Sequence, residues 1–539
     1  MREFTNIISD EFLRGLPPDK RVRRGAPYVS DCFNLKATVD GLAPFEPVID
    51  PFASSVDMLF PFPQIFHGSR YTILANKDEI RIVDSSATPW TSSALSVVDI
   101  DNNPVSFDAD EPWQFVDFGD VWYLFTSNFV IMLDGEDAQV GNTPTAYGFS
   151  HVPITTGVQH QGRILFGGFT AGQVWTGDWI TFLNGLVSDL DMPFNIPFND
   201  IDHTYVMWSS VGGGDFPAWL FFPERAFVGS SLFPTSTYSQ DSFQQSMLYD
   251  RMRRNEFGFM RIPSDGAVKC IKTLGTRIVV YTETGIFGLF PHLSRDSEIS
   301  TYGMVHLSRT GIKDKSFVGG DDRQHIFIDT EGSLWAVSGE FSINKLGYKE
   351  FLSPLLENHA AISKNVDTQR LEYYISGVHT VSGSPVKSNF VLTNSGLTRH
   401  AQQIASTTFI DGGTVGTCTD MEDEEAFVVS NQTDMGVRGI KTVTSVNVSF
   451  QGGVGVQVAI DYRYRTSDQF SRSHFVPLNN EGNAVIRVAG IDFRVVLYAI
   501  ELWDFEVDYI QLKWQSSDKR HIRGTVVAPQ VGTIPEEGE

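Results

Sequence analysis

From about residue 60 the chain repeats one pattern of apolar and polar positions: an apolar pair, a glycine or polar turn, an apolar strand, a second turn and a second apolar strand. The clearest copy runs Leu274-Gly275-Thr276-Arg277, Ile278 to Tyr281, Thr284-Gly285 and then Ile286-Phe287-Gly288-Leu289. Other copies turn at Gly68, Gly119, Gly162, Gly213, Asp322, Gln369 and Asp423, which sets a mean interval of about 51 residues. Kelch-type blades repeat at roughly 50. Two strands and two turns per copy, with room for two more strands, fit a four-stranded blade. One blade cannot bury both of its faces, so the copies must stack around an axis. The pattern predicts an all-β fold with a β-propeller of about 6–8 blades over residues 61–437. An array of sandwiches with recurrent hairpins is the competing reading, and the regular interval favours the propeller.

The interval from Gly213 to Gly275 is the longest, and its excess holds the best helix candidate, Asp241 to Glu256, inside an insertion at 224–262. Asp241 or Ser242 can cap that helix, with Phe243 and Met247 on one face. Arg251, Arg253 and Arg254 then meet the negative end of the helix dipole, a reading preferred to a phosphate site. From 438 the rhythm changes. Val446, Val448 and Phe450 alternate with Asn447 and Ser449, Gly452-Gly453 gives a turn, and further strands are expected at 454–460, 484–488, 493–498 and 505–514. This predicts a separate β-sandwich or jelly-roll-like domain over 438–525, followed by a Pro- and Glu-rich flexible tail at 526–539. Residues 1–60 carry Pro17, Pro18, Pro27, Pro44, Pro47 and Pro51 and read as an extended N-terminal arm. Its basic cluster of Lys20, Arg21, Arg23 and Arg24 reads as a solvated turn or, more sharply, as a contact for an acidic neighbour.

Composition narrows the class. The chain has 539 residues, 41% hydrophobic and 20% charged, which is a globular balance. Its net charge of -24 repels nucleic-acid phosphates, so tight wrapping of DNA is excluded while an acidic wall past which DNA slides is not. Cys32, Cys270 and Cys418 are far apart and odd in number, with no disulfide framework or zinc spacing, which points to a reducing place of synthesis. Residues 1–6 carry charge where a signal peptide needs an apolar stretch, and no apolar run approaches the roughly 18 residues of a membrane span. We therefore expect neither an export signal nor a membrane anchor.

Candidate chemistry is sparse. No metalloprotease His pair, nucleophile elbow, phosphate loop or dinucleotide fingerprint is present, so no catalytic, cofactor-binding or metal residues and no cofactor are expected. His67 and His160 fall in corresponding blade turns, a spacing that structure alone explains. Asp329-Thr330-Glu331-Gly332-Ser333-Leu334-Trp335 approximates a sialidase Asp-box, with its glycine one residue too far along. Asp99 to Asp110 matches a calcium loop at its first three ligand positions. It departs at Pro104, where a glycine belongs, and at Asp110, where a glutamate belongs, so it reads as a solvated acidic loop.

The order of these parts resembles the tail nozzle, or hub, proteins of short-tailed bacteriophages. The resemblance rests on the Pro-broken arm with Gly41-Leu42-Ala43-Pro44, on blades such as Gly275 to Leu289 and Ile326 to Val337, and on a β-domain ending near Tyr509 to Trp514 and Asp518-Lys519-Arg520. It implies a structural, non-enzymatic virion protein, assembled in the host cytoplasm as a hexameric ring through which DNA exits. An adaptor ring below the portal and tail fibres or spikes would be its partners. The arm and the 224–262 insertion would supply contacts between copies. The rival reading is a propeller that binds or hydrolyses a glycan, with a polar pocket at one end of its axis.

Overall fold

The computed structural model describes residues 3–8, 14–19, 26–52, 59–99, 103–119, 121–127, 129–134, 144–149, 154–169, 202–209, 258–293, 300–365, 371–410, 413–421, 425–451, 455–500 and 506–516. Within them the fold is an all-β propeller joined to a β-sandwich.

Blade 4 shows why the apolar runs become strands. It consists of Val268–Leu274, Arg277–Thr282, Ile286–Leu293 and Ser300–Ser308, paired in chain order. Side chains alternate across a strand. Ile278 and Val280 therefore pack with Leu165, Val206 and Trp208 of blade 3, while Val279, Tyr281 and Ile286 pack with Val318, Phe327 and Val337 of blade 5. Ile278, Val280 and Ile286 are fully buried, and each contributes roughly 1.5–3 kcal/mol by leaving water. Gly275 closes the first hairpin at φ +60°, a conformation that costs a glycine nothing.

The other blades follow the same order. Blade 1 comprises Gln64–His67, Thr72–Ala75, Ile80–Asp84 and Thr91–Leu95. Blade 2 comprises Gln114–Asp117, Val121–Phe125, Val130–Asp134 and Thr145–Phe149, with Val97–Val98 added in parallel. Blade 3 comprises Thr156–His160, Arg163–Gly167, Tyr205–Trp208 and Gly258–Arg261. Blade 5 comprises Val318–Gly320, Gln324–Ile328, Leu334–Ser338 and Ser342–Gly347. Blade 6 comprises Ala360–Lys364, Tyr373–Val381, Ser384–Leu392 and Leu397–Arg399. Blade 7 is a hairpin, Ile404–Ile410 and Gly413–Cys418, whose first strand lies against the inner strands of blades 6 and 1.

Blade 7 takes its third strand position from far away in sequence. Ile49 bridges Val415, and Gly416 N–H donates to the Ile49 carbonyl at 3.0 Å. Val48 N–H donates to Gln402 Oε1 at 2.8 Å, and Gln402 Nε2 donates back to the Val48 carbonyl at 2.9 Å. The ring is thus latched by the segment that precedes blade 1.

The sandwich faces two sheets across one core. One sheet holds Lys441–Gln451 and Glu506–Ser516, with Glu3–Ile8, Leu35–Ala37, Leu42–Pro44, Asn483–Ala484 and Val488–Gly490. The other holds Gln457–Arg463 and Asp492–Ala499 with Ala426–Val429 and Asp31–Phe33. It runs on into blade 6 through Phe33 beside Arg399. Ile8, Leu16, Cys32, Leu35, Val446, Ile460, Val495 and Leu512 share this core.

Several sequence expectations change here. Residues 1–60 are not an extended arm. Glu3–Ile8 pairs with Glu506–Ser516, Asp31–Phe33 pairs with Ala426–Val429, and Ile49 latches the ring. The prolines mark joins between very short strands. The boundary at 438 falls inside the sandwich, because Ala426–Val429 pairs with Asp492–Ala499. The copy at Asp423 is therefore not a blade. The copies at Gly162 and Gly213 do not found two blades, since blade 3 spans 156–261. Gly213 itself, the helix candidate, both basic clusters and the tail lie outside the described residues, except that the end of the expected insertion, Gly258–Arg261, is a strand.

Candidate functional site

Among the described residues the first strand of each blade ends its sheet and is paired along one edge only, so N–H and carbonyl groups on its other edge need other partners. Polar side chains near the leading ends supply them. Gln64 Oε1 accepts from Trp113 N–H. Gln114 Nε2 donates to the carbonyls of Gly157 and Ile271 at 2.7 and 2.8 Å. Thr156 Oγ1 donates to Gln114 Oε1 at 2.6 Å and accepts from Ile271 N–H at 2.9 Å. Ser316 Oγ accepts from Ala360 N–H at 3.3 Å, Ser376 Oγ from Ile404 N–H at 3.0 Å and Ser406 Oγ from Ile65 N–H at 2.7 Å. Blade is tied to blade by this polar ladder.

Charged groups at both ends of the axis are mostly committed. At the leading end Lys315 Nζ donates to the carbonyls of Phe125 and Thr155, both at 2.9 Å, and meets Glu111 Oε1 at 3.2 Å. Beside it His359 Nδ1 lies 3.3 Å from Asp314. Burial works to raise the Asp314 carboxyl, but hydrogen bonds from His359 and Ser316 hold it below the usual carboxylate range. The same contact raises His359. At the trailing end Lys364 pairs with Asp321. Burial there is again outweighed, by Lys364 and by the N–H groups of Arg323 and Gln324, and the Asp321 carboxyl sits low.

Between these ends lies a cavity of about 430 Å³, with Gln114, Lys272, Thr273, Asp321, His325 and Ser363 in its wall. His325 is 1% exposed. Its Nε2 lies 2.7 Å from the Thr273 carbonyl, which can only accept, so Nε2 carries the proton and Nδ1 accepts from Tyr281 OH at 2.9 Å. Burial, with the charge of Lys272 second, pushes His325 down to about 3. It stands as a neutral structural ring.

The residues singled out in the sequence do not converge. His67 Nδ1 bonds Thr72 Oγ1 at 2.8 Å, and His160 Nδ1 bonds Tyr302 OH at 3.0 Å, in separate blades. The Asp-box-like turn is a structural clamp. Asp329 Oδ1 accepts from Glu331 and Ser333 N–H, and Asp329 Oδ2 accepts from Trp335 Nε1 at 2.7 Å. In the calcium-like loop, of which 100–102 lie outside the described residues, Asp99 accepts from Asn103 and Asp108 pairs with Lys77 at 3.0 Å. Among the described residues no three His, Cys, Asp or Glu side chains gather as metal ligands. Cys32, Cys270 and Cys418 are buried free thiols. Burial pushes Cys270 up to about 11. Sequence reasoning missed the axial ladder and Lys272; their only signal was single polar residues on otherwise apolar inner strands.

No protein-family model matches the sequence. No curated protein sequence matches it either. Among solved structures, an exo-β-1,3-galactanase from Phanerochaete chrysosporium overlaps 77% of this chain and 98% of its own at 8% identity and a TM-score of 0.27. The Cps50 (Swd1) β-propeller domain of Myceliophthora thermophila overlaps 68% of this chain and 93% of its own at 7% identity and a TM-score of 0.30. The extracellular domain of a one-component system from B. thetaiotaomicron overlaps 89% of this chain and 62% of its own at 8% identity and a TM-score of 0.36. Overlaps this loose carry nothing about activity or substrate to this chain.

Proposed function

We propose that this chain is a structural subunit of the tail nozzle, or hub, of a short-tailed bacteriophage. The observation that carries the reading is the axis: its ladder and its paired charges are spent on holding blade to blade. Such a propeller is a braced disc, not a conduit. Its cavity of about 430 Å³ cannot pass a duplex whose major groove alone is about 12 Å wide. DNA would leave through the centre of a ring of copies, six by the family resemblance, each with a net charge of -24 to limit adhesion. An adaptor ring above and fibres or spikes outside would complete the assembly in the virion. Electron microscopy and native mass measurement of the full chain test this: a closed ring of fixed stoichiometry is expected, and a strict monomer in its native particle overturns it.

The rival, a glycan-binding or glycan-hydrolysing propeller, draws on the axial cavity, whose size suits a small ligand. Hydrolysis asks for one carboxyl raised as an acid beside a second. On the axis Asp314 and Asp321 are both held low. Release of sugar from an oligosaccharide panel would favour the rival.

A further inference from the structure

The axial cavity contains one cation that the ladder does not use. Lys315 is consumed by two carbonyls and Glu111, and Lys364 by Asp321. Lys272, in the same wall, makes no ion pair or hydrogen bond among the described residues. It is near enough to His325 and Cys270 for its charge to act on both. His325 cannot compensate it, because both ring nitrogens are already bonded in the neutral form. Thr273 and Ser363 line the same cavity, and their hydroxyls have no protein partner among the described residues.

An ammonium in a cavity wall that has no protein partner can donate its hydrogen bonds to an anion. We propose that the axial cavity is a binding site for a small oxyanion, a phosphate or a compact carboxylate, centred on Lys272 with Ser363 of the same wall as a further donor. A cavity of about 430 Å³ lies within the range of roughly 300–1,000 Å³ typical of small-ligand sites. A neutral sugar would leave the ammonium uncompensated, so charge separates this site from the glycan reading. The inference stands apart from the nozzle reading and holds for a ring or a monomer.

Calorimetric titration of the full chain with inorganic phosphate, with citrate and with neutral maltotriose tests it, at constant ionic strength set with chloride. Saturable binding of phosphate or citrate, one per chain, is expected. Lys272→Gln should weaken it by about tenfold or more, the scale of one lost charge-assisted hydrogen bond. Lys272→Arg should keep most of the affinity, and Ser363→Val should weaken it several-fold while leaving the anion-free melting temperature unchanged. No saturable binding of either anion overturns the site. So does equal affinity in Lys272→Gln, or maltotriose binding that ignores Lys272.

Discussion

Blades 4 to 6 and the sandwich use the same strand chemistry with opposite connectivity. In blades 4 to 6 nearly every strand pairs with the one just before or after it in the chain. In the sandwich Glu3 lies opposite Gln515, Asp31 opposite Val429 and Leu42 opposite Val507. Closing a longer loop adds only about 0.6 kcal/mol per doubling of length, so the distant pairs are affordable at equilibrium. They are slow to find, because non-local pairing must wait for the chain to meet itself. The difference teaches that the propeller can take shape from local hairpins, whereas the sandwich and the ring latch depend on both ends of the chain at once.

The most severe way to break this comparison is to remove residues 1–52. The sandwich core then loses Ile8, Leu16, Cys32 and Leu35, and blade 7 loses its latch. Loss of near-ultraviolet circular dichroism is expected, and a fragment of 440–525 should likewise stay unfolded. A native-like spectrum from either would make the two regions equivalent. Next comes Lys36→Met. Lys36 Nζ meets Glu372 Oε1 at 3.0 Å, both side chains 9% exposed, and fastens the N-terminal segment to blade 6. Leaving Glu372 buried without its cation should cost about 3–5 kcal/mol in denaturant unfolding. The exposed local pair Lys349–Glu331 is the control, and Lys349→Met should leave the midpoint unmoved.

A smaller effect belongs to the ladder. Gln114→Ala strands the buried Ile271 and Gly157 carbonyls and should cost about 1–3 kcal/mol, whereas an unchanged midpoint would deny the ladder its role. The last is a dependence on pH, small near neutrality and growing as acid is added. Burial pushes both His325 and His400 down to about 3. The unfolded chain takes up these protons below about 6.5. Between those values the unfolded state holds more protons, so stability falls as pH falls, by about 1.4 kcal/mol per pH unit for each ring. His359, raised by Asp314, works the other way, and its contribution fades as pH rises through its native value. His325→Gln should flatten the acid limb of the melting curve.

Blades 4 to 6 were legible because Ile278 to Tyr281, Ile326 to Ile328 and Tyr373 to Ile375 are apolar runs bounded by turns their own residues specify. Blade 7 was not. Its strands, Ile404–Ile410 and Gly413–Cys418, are rich in Thr, Ser and Gly, because part of their burial comes from Phe45 and Val48. Leu35–Ala37 and Leu42–Pro44 pair with each other but are too short for any period to register, and the strand that carries them into the sheet, at Val507, stands hundreds of residues away. The ladder residues were equally silent. Gln64, Gln114 and Ser406 look like any polar residue at a strand start until the neighbouring blade is in place.

The latch also fixes an order in time. Thr5 emerges from the ribosome some five hundred residues before Lys513, its partner across the sheet. At about 5–20 residues per second, the first strand waits roughly half a minute to two minutes for that partner to be synthesised. Through that interval Glu3–Ile8 and Asp31–Phe33 are open edges, able to pair with the wrong chain. A prematurely terminated chain never acquires the missing strands. Its exposed edges mark it for chaperones and proteases, so the wiring of the fold inspects each copy for completeness before it can join anything else.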